Sequence, residues 1–114
     1  PIGVTAAFNL NLLARINREL GGDFPLDAFE HVARFNPEVR SIEMHLRAKR
    51  HVSAHVAAAR LTVTLEEGET IWTESSHKYR ADEVGPIAGD AGFTCQHQWI
   101  ERDWGFAESL LVAR

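Results

Sequence analysis

The sequence has 114 residues, of which 45% are hydrophobic and 25% are charged, as expected for a globular domain with one core. Its formal net charge of -4 provides no broad cationic surface, so general nucleic-acid binding is disfavoured. Cys95 is the single cysteine, which excludes an internal disulfide and a cysteine-built zinc site and fits a reducing, cytoplasmic setting. Since there is no long apolar run and no signal-like start, we expect neither a membrane span nor secretion.

An amphipathic helix is predicted from Gly3 to Leu20. The apolar residues that recur every four positions in it are Val4, Phe8, Leu12, Ile16 and Leu20. This period is typical of a helix that turns one apolar face to the core. Gly21 and Gly22 are expected to end the helix, and Pro25 prevents it from resuming.

Alternating apolar and polar residues predict three strands in the middle of the chain. They cover Phe29–Phe35, Ile42–Ala48 and Leu61–Leu65, and the second strand directs Met44 into the core. The segment Glu66–Glu69 is expected to form a hairpin turn that leads from the third strand into the following stretch. These elements predict a helix packed on a small antiparallel sheet.

The last third of the sequence is expected to form a short helix and a β-hairpin. The helix covers Asp82–Ala91 and ends at Gly92, and Pro86 is compatible with it only in the first turn. The two strands cover Phe93–Ile100 and Gly105–Val112. The predicted fold class of the whole chain is therefore α+β.

The best candidate for a recognition site is the stretch Ile71–Tyr79, which places polar side chains between aromatic residues. Glu74 and Ser76 are two positions apart, so a strand would project both from one face. A carboxylate accepts a hydrogen bond and a hydroxyl can donate or accept one, which suits an imidazole. On spacing alone, a solvated strand face explains the pair better.

Other combinations of residues are explained by ordinary structure. Met44 and Phe8 could line an apolar pocket, but their pattern alone favours core positions. His51 and His55 have the four-residue spacing of a helical metal site, but no glutamate follows the first histidine as a zinc protease requires. We interpret this segment as a surface connection and predict no metal site.

Several segments resemble the C-terminal part of histidine-specific, S-adenosylmethionine (SAM)-dependent methyltransferases, which trimethylate the α-amino group of L-histidine in the ergothioneine pathway. The segments are Gly3–Asn9, Asn17–Leu20, Phe29–Ala33, Ile42–Met44, Thr73–Lys78 and the ending Phe106–Arg114. They occur in order through nearly the whole chain, so together they are specific although each alone is short.

The resemblance implies a Rossmann-like cofactor domain with a substrate domain inserted late in it. Residues 1–79 would form most of the histidine-binding lobe, and residues 80–114 would be the last helix and strands of the cofactor domain. The acid and hydroxyl that recognise the imidazole fall on Glu74 and Ser76. Met44 matches a pocket-lining methionine, and Thr5 and Phe8 match further lining positions.

The glycine-rich cofactor motif of that family would precede Pro1. The resemblance thus implies a missing N-terminal cofactor domain that holds the SAM site, and no catalytic residue is assigned in this chain. We expect that the 114 residues alone cannot methylate anything. Two alternatives stay open: the acceptor is another amino acid or amine, or the chain is a stand-alone ligand-binding or dimerisation module that self-associates through an exposed sheet edge.

Overall fold

A computed structural model describes residues 3–114 of the chain. Its contacts divide the chain into two compact units, the first ending at His77 and the second covering Lys78–Arg114. Both units combine helices with antiparallel strands, so the predicted α+β class is confirmed. The assignment of the two parts to a substrate lobe and a cofactor domain stays a prediction.

The first unit contains one long helix and five strands. They are α1 (Gly3–Leu20), β1 (Phe29–Asn36), β2 (Ser41–Ala48), β3 (Val52–Val56), β4 (Leu61–Leu65) and β5 (Thr70–His77). One antiparallel sheet has the strand order β1-β2-β5, and β3 pairs with β4 in a separate two-stranded sheet. The predicted helix and the three predicted strands all form, with bounds within one residue of those expected.

Strand β3 corrects the interpretation of the His51–His55 segment as a surface connection. Val52, Ala54 and Val56 are buried and alternate with exposed Ser53 and His55. This alternation is the two-residue period of a strand with one face in the core. The four-residue spacing of His51 and His55 is therefore not that of a pair on one helix face.

The predicted hairpin between β4 and β5 is wrong. The segment 66–69 does turn, but β4 pairs with β3 while β5 pairs with β2. The turn is held against the end of β2, where Gly68 N donates to Ala48 O at 2.8 Å and Ala48 N donates to Glu69 O at 2.9 Å. A short turn therefore carries the chain from one sheet to the other.

The core of the first unit lies between α1 and the sheets. Its buried members are Leu13, Phe24, Ala28, Phe29, Leu46, Ala48, Val52, Ala54, Val56 and Leu65. On α1, the buried residues are Asn9 and Leu13, whereas Val4 is 78% and Phe8 72% exposed. The helix is therefore rotated from the predicted orientation, and the stripe through Val4 and Phe8 does not face the core.

The end of α1 is fixed by Asn17. Its amide N donates to Phe24 O and its amide O accepts from Phe24 N, both at 2.9 Å. A side chain on Gly22 would place its Cβ 2.8 Å from this same amide oxygen. The glycine predicted to stop the helix thus also leaves room for the side chain that secures the following loop.

The second unit consists of α2 (Ala81–Asp90) and the antiparallel strands β6 (Phe93–Glu101) and β7 (Phe106–Ala113). Pro86 is the sixth residue of α2, so the prediction that this helix tolerates Pro86 only in its first turn is wrong. Proline has no N–H for the carbonyl four residues earlier. Because Pro86 is exposed, water can compensate for the lost helix bond.

One face of the β6–β7 hairpin carries α2. Gln98 joins the two elements, since its amide N donates to Ala81 O at 2.8 Å and to Ser109 Oγ at 3.1 Å. On β7, Phe106, Leu110 and Val112 have the opposite parity to Ser109 and point to the other face. All three are exposed, so an apolar sheet face of this unit is open.

Candidate functional site

The pairing of β2 with β5 places three of the predicted site residues together. Glu74 is opposite Met44, and Ser76 is opposite Ile42. Directly paired residues of antiparallel strands project to the same face, with Cβ atoms about 5 Å apart. The carboxylate, the hydroxyl and the thioether therefore emerge from one strip of sheet.

A β-bulge decides which face this strip occupies. Trp72 pairs with His45 and Glu74 pairs with Met44, so Thr73 is an extra residue without a partner in the ladder. In a regular strand, Glu74 and Ile71 would point to opposite faces, because they are three positions apart. The bulge brings both to the same face.

That face is the one that α1 covers. Ile71 pairs with Leu46, which is fully buried in the core with Leu13 of α1. Thus Ile71, Glu74 and Ser76 all point to the helix side of the sheet. Without the bulge, Glu74 and Ser76 would lie on the far side.

The helix side of the sheet has a closed half and an open half. Phe29 and Ala48, paired at one end, are buried in the core. Towards the other end, Ala33, Phe35 and Glu74 are exposed. The candidate site residues occupy this open half, where side chains are accessible to a small molecule.

The other two predicted site residues, Thr5 and Phe8, belong to α1 and not to the sheet. Thr5 lies one turn before Asn9 and on the same side of the helix, since residues four apart are neighbours. Both Thr5 and Phe8 are exposed. Strand pairing joins Met44, Glu74 and Ser76, whereas the place of Thr5 and Phe8 in the site stays a prediction.

Asn9 forms a polar network under the helix that sequence reasoning missed. Its amide N lies 2.8 Å from His31 Nδ1 and donates to His45 O at 3.2 Å. Its amide O accepts from Thr73 Oγ1 at 2.7 Å. The available signal was an asparagine in the middle of a helix, where this residue type is unfavourable unless its side chain finds partners.

The opposite face of the sheet carries a second polar cluster around buried His45. Its Nε2 lies 3.2 Å from Glu43 Oε2, its Nδ1 lies 3.0 Å from Thr70 Oγ1, and its ring stacks on Trp72 with centroids 5.8 Å apart. The hydrogen bond with His45 holds the pKa of Glu43 below its ordinary value, with help from Asn36 and Arg34. Every heteroatom of the imidazole is engaged, which is typical of a structural histidine.

The structure places no group of three or more potential metal ligands together within residues 3–114. His51 Nδ1 lies 3.0 Å from Glu66 and His55 Nδ1 lies 3.8 Å from Asp23. Each histidine thus has its own carboxylate neighbour, and the segment between them is a strand.

Neither α1 nor any other described helix is long and apolar enough to cross a membrane.

Residues 1–113 match the model of the protein family described as histidine-specific methyltransferase, SAM-dependent. The chain therefore belongs to this family, and the resemblance found in its sequence is confirmed. It is 47% identical over 110 residues to the histidine N-alpha-methyltransferase of Mycolicibacterium smegmatis. It is 46% identical over 110 residues to the histidine N-alpha-methyltransferase of Mycobacterium tuberculosis. Each match covers 96% of this chain and 34% of the relative, so the chain spans about a third of the length of these curated relatives.

Proposed function

We propose that this chain is the acceptor-binding part of a longer enzyme that methylates the α-amino group of L-histidine. The observation that carries the proposal is the β2–β5 register, which sets Glu74 and Ser76 beside Met44 on the open half of the sheet. Family membership gives the reaction class. The names of the relatives give the acceptor.

An imidazole offers one N–H donor and one nitrogen acceptor. Glu74 accepts from the N–H, and the Ser76 hydroxyl donates to the second nitrogen. A pocket built in this way rejects apolar amino acids, because its polar groups would be left unpaired in the complex. Met44 provides a polarizable contact for the edge of the ring, and Thr5 and Phe8 complete the lining from α1.

The role of these residues is to select and hold the acceptor. Methyl transfer needs the neutral amine in line with the methyl group that SAM supplies, so positioning contributes much of the rate. The 114-residue sequence contains no glycine-rich dinucleotide-type loop, and no side chain of this chain is assigned to SAM. The general base is likewise unassigned.

The second unit supports a place for residues 80–114 in a larger, Rossmann-like domain. Trp99, Phe106 and Leu110 are each about half exposed, and large exposed apolar patches mark surfaces that another element covers. We infer that preceding strands of the cofactor domain cover them. We propose a cytoplasmic setting, with which the free Cys95 is compatible, and the resemblance to the histidine-specific family suggests a place in the ergothioneine pathway.

The test uses the longest native product of the gene. It is incubated with SAM and a mixture of amino acids, and product masses are followed. Methylated histidine supports the proposal, and methylation of a different acceptor supports the alternative in which Glu74 and Ser76 read another group. The 114-residue chain alone is expected to be inactive in the same assay, and turnover by it would refute the proposed division of the enzyme.

A further inference from the structure

The β-bulge at Thr73 is the feature that turns Glu74 and Ser76 to the helix side of the sheet. A bulged residue leaves the strand ladder locally disrupted, so its position must be fixed by other contacts. Thr73 is half-buried, and its hydroxyl contacts both helix α1 and strand β2. It donates to Asn9 Oδ1 at 2.7 Å and lies 2.9 Å from Met44 O.

The hydrogen bonds of Asn9 make this attachment directional. Asn9 is 5% exposed, and the two N–H groups of its amide are directed to His31 Nδ1 and His45 O. The amide oxygen is therefore left to accept from Thr73. Exchanging the amide O and N would set an acceptor against His45 O, so the orientation is fixed by the surrounding groups.

We propose that Asn9 and Thr73 are positioning residues for acceptor recognition. Through the bulge, α1 holds the segment that begins at Glu74 in the register where the carboxylate and the Ser76 hydroxyl face the acceptor. The inference rests on the proposed function, and it adds two residues that do not themselves contact the acceptor. They act through Glu74 and Ser76.

This role predicts a selective defect. Loss of the Thr73 hydroxyl removes the hydrogen bond between the bulge and α1. The carboxylate of Glu74 and the hydroxyl of Ser76 are then no longer held in the orientation that faces the acceptor. Binding of the acceptor then weakens while binding of SAM does not change. A purely structural role would instead lower the melting temperature and affect both substrates alike.

The experiment uses the full-length enzyme and compares Thr73→Val, Thr73→Ser and Glu74→Gln. Thr73→Val keeps the branched shape without the hydroxyl, and Thr73→Ser keeps the hydroxyl. The matched control is Thr62→Val, at an exposed position of β4. KM for L-histidine, KM for SAM, kcat and the melting temperature are measured for each variant.

We expect Thr73→Val to raise KM for histidine by about tenfold, the effect of one lost directed hydrogen bond, with KM for SAM unchanged. Thr73→Ser and Thr62→Val should both retain the wild-type KM for histidine. If Thr73→Val does not accumulate as folded protein, Thr73→Ala replaces it in the comparison with Thr73→Ser.

Two results separate this inference from the proposed function. If Glu74→Gln weakens histidine binding and Thr73→Val does not, the positioning role is overturned and the proposed function stands. If the wild-type enzyme neither binds nor methylates histidine, the proposed function fails first. Equal increases in both KM values for Thr73→Val, with a lower melting temperature, would also overturn the positioning role.

Discussion

Glu74 lies directly opposite Met44 in the antiparallel pairing of β5 with β2. A carboxylate and a thioether thus border the same strip of the open sheet half, one able to accept from an N–H and the other to contact a ring. Neither residue belongs to the buried core. Their juxtaposition is maintained by backbone pairing, so it can be altered one side chain at a time.

Replacing Glu74 by Ala should reduce kcat/KM for L-histidine by roughly 10- to 100-fold, because a hydrogen bond to a charged group contributes about 1.5–3 kcal/mol. The preference for histidine over other amino acids should fall with it. Competition assays with mixed acceptors measure this preference. Glu67→Ala, in an exposed turn, is the control, and an unchanged acceptor preference in Glu74→Ala would contradict the imidazole assignment.

Replacing Asn17 by Ala should destabilise the first unit by about 2 kcal/mol, since two hydrogen bonds to the backbone of Phe24 are lost. The loop after α1 should then open before the rest of the unit. Thermal unfolding and hydrogen exchange of the full-length protein test both expectations. Asn11→Ala on the exposed side of the same helix provides the comparison, and equal stability of the two variants would show that the loop needs no such attachment.

The polar cluster around His45 should make folding stability depend on Glu43 in acid. The pKa of Glu43 lies below its ordinary value of 4.5, first because of the hydrogen bond with His45. A carboxyl with a depressed pKa contributes stability that is present above its unfolded pKa and is lost as the pH falls through the folded one. Glu43→Gln should therefore flatten the loss of stability below pH 4.5, as measured by denaturant unfolding at several pH values. If the stability of Glu43→Gln falls below pH 4.5 as steeply as that of the wild type, this role of Glu43 is contradicted.

The 114-residue chain produced alone should self-associate through the open face of its second unit. Trp99 and Leu110 are 54% and 47% exposed, and an exposed apolar sheet face favours association between molecules. Sedimentation velocity at increasing concentration should show a growing sedimentation coefficient. Trp99→Lys should reduce this growth, whereas Trp72→Lys in the first unit should not; a concentration-independent monomer would contradict the prediction.

The positions of the helices and most strands could be predicted from residue periodicity alone. Alternation at Ile42–Ala48 and the glycines after Leu20 are local signals, and local signals set where an element begins and ends. The pairing of β4 with β5 was predicted wrongly. A four-residue turn in the sequence indicates that the chain changes direction, but it does not indicate which strand pairs with the strand that follows. Strand β3 could not be identified from its pattern because it has only five residues and overlaps His51 and His55, whose four-residue spacing is equally compatible with a helix.

The candidate site was predictable only in part. The two-residue spacing of Glu74 and Ser76 places them on a common face in any strand, but which face depends on the bulge at Thr73. The orientation of α1 could not be predicted either, because it also depends on contacts between residues that are far apart in the sequence. The regular apolar stripe through Val4 and Phe8 suggested a buried face, whereas burial follows Asn9 and Leu13, whose partners lie far away in the sequence.

The buried core and the open half lie at opposite ends of one sheet, and this separation has a consequence for mutation. Substitutions at the proposed acceptor-binding residues Met44, Glu74 and Ser76 would remove no member of the buried cluster around Leu13 and Leu46. Acceptor recognition and core packing would then rest on different side chains, and they would meet at Met44, which lies two positions from Leu46 on β2. If the proposed function holds, the acceptor that this enzyme recognises could change through Glu74 and Ser76 while the buried cluster, and with it the fold, stays the same.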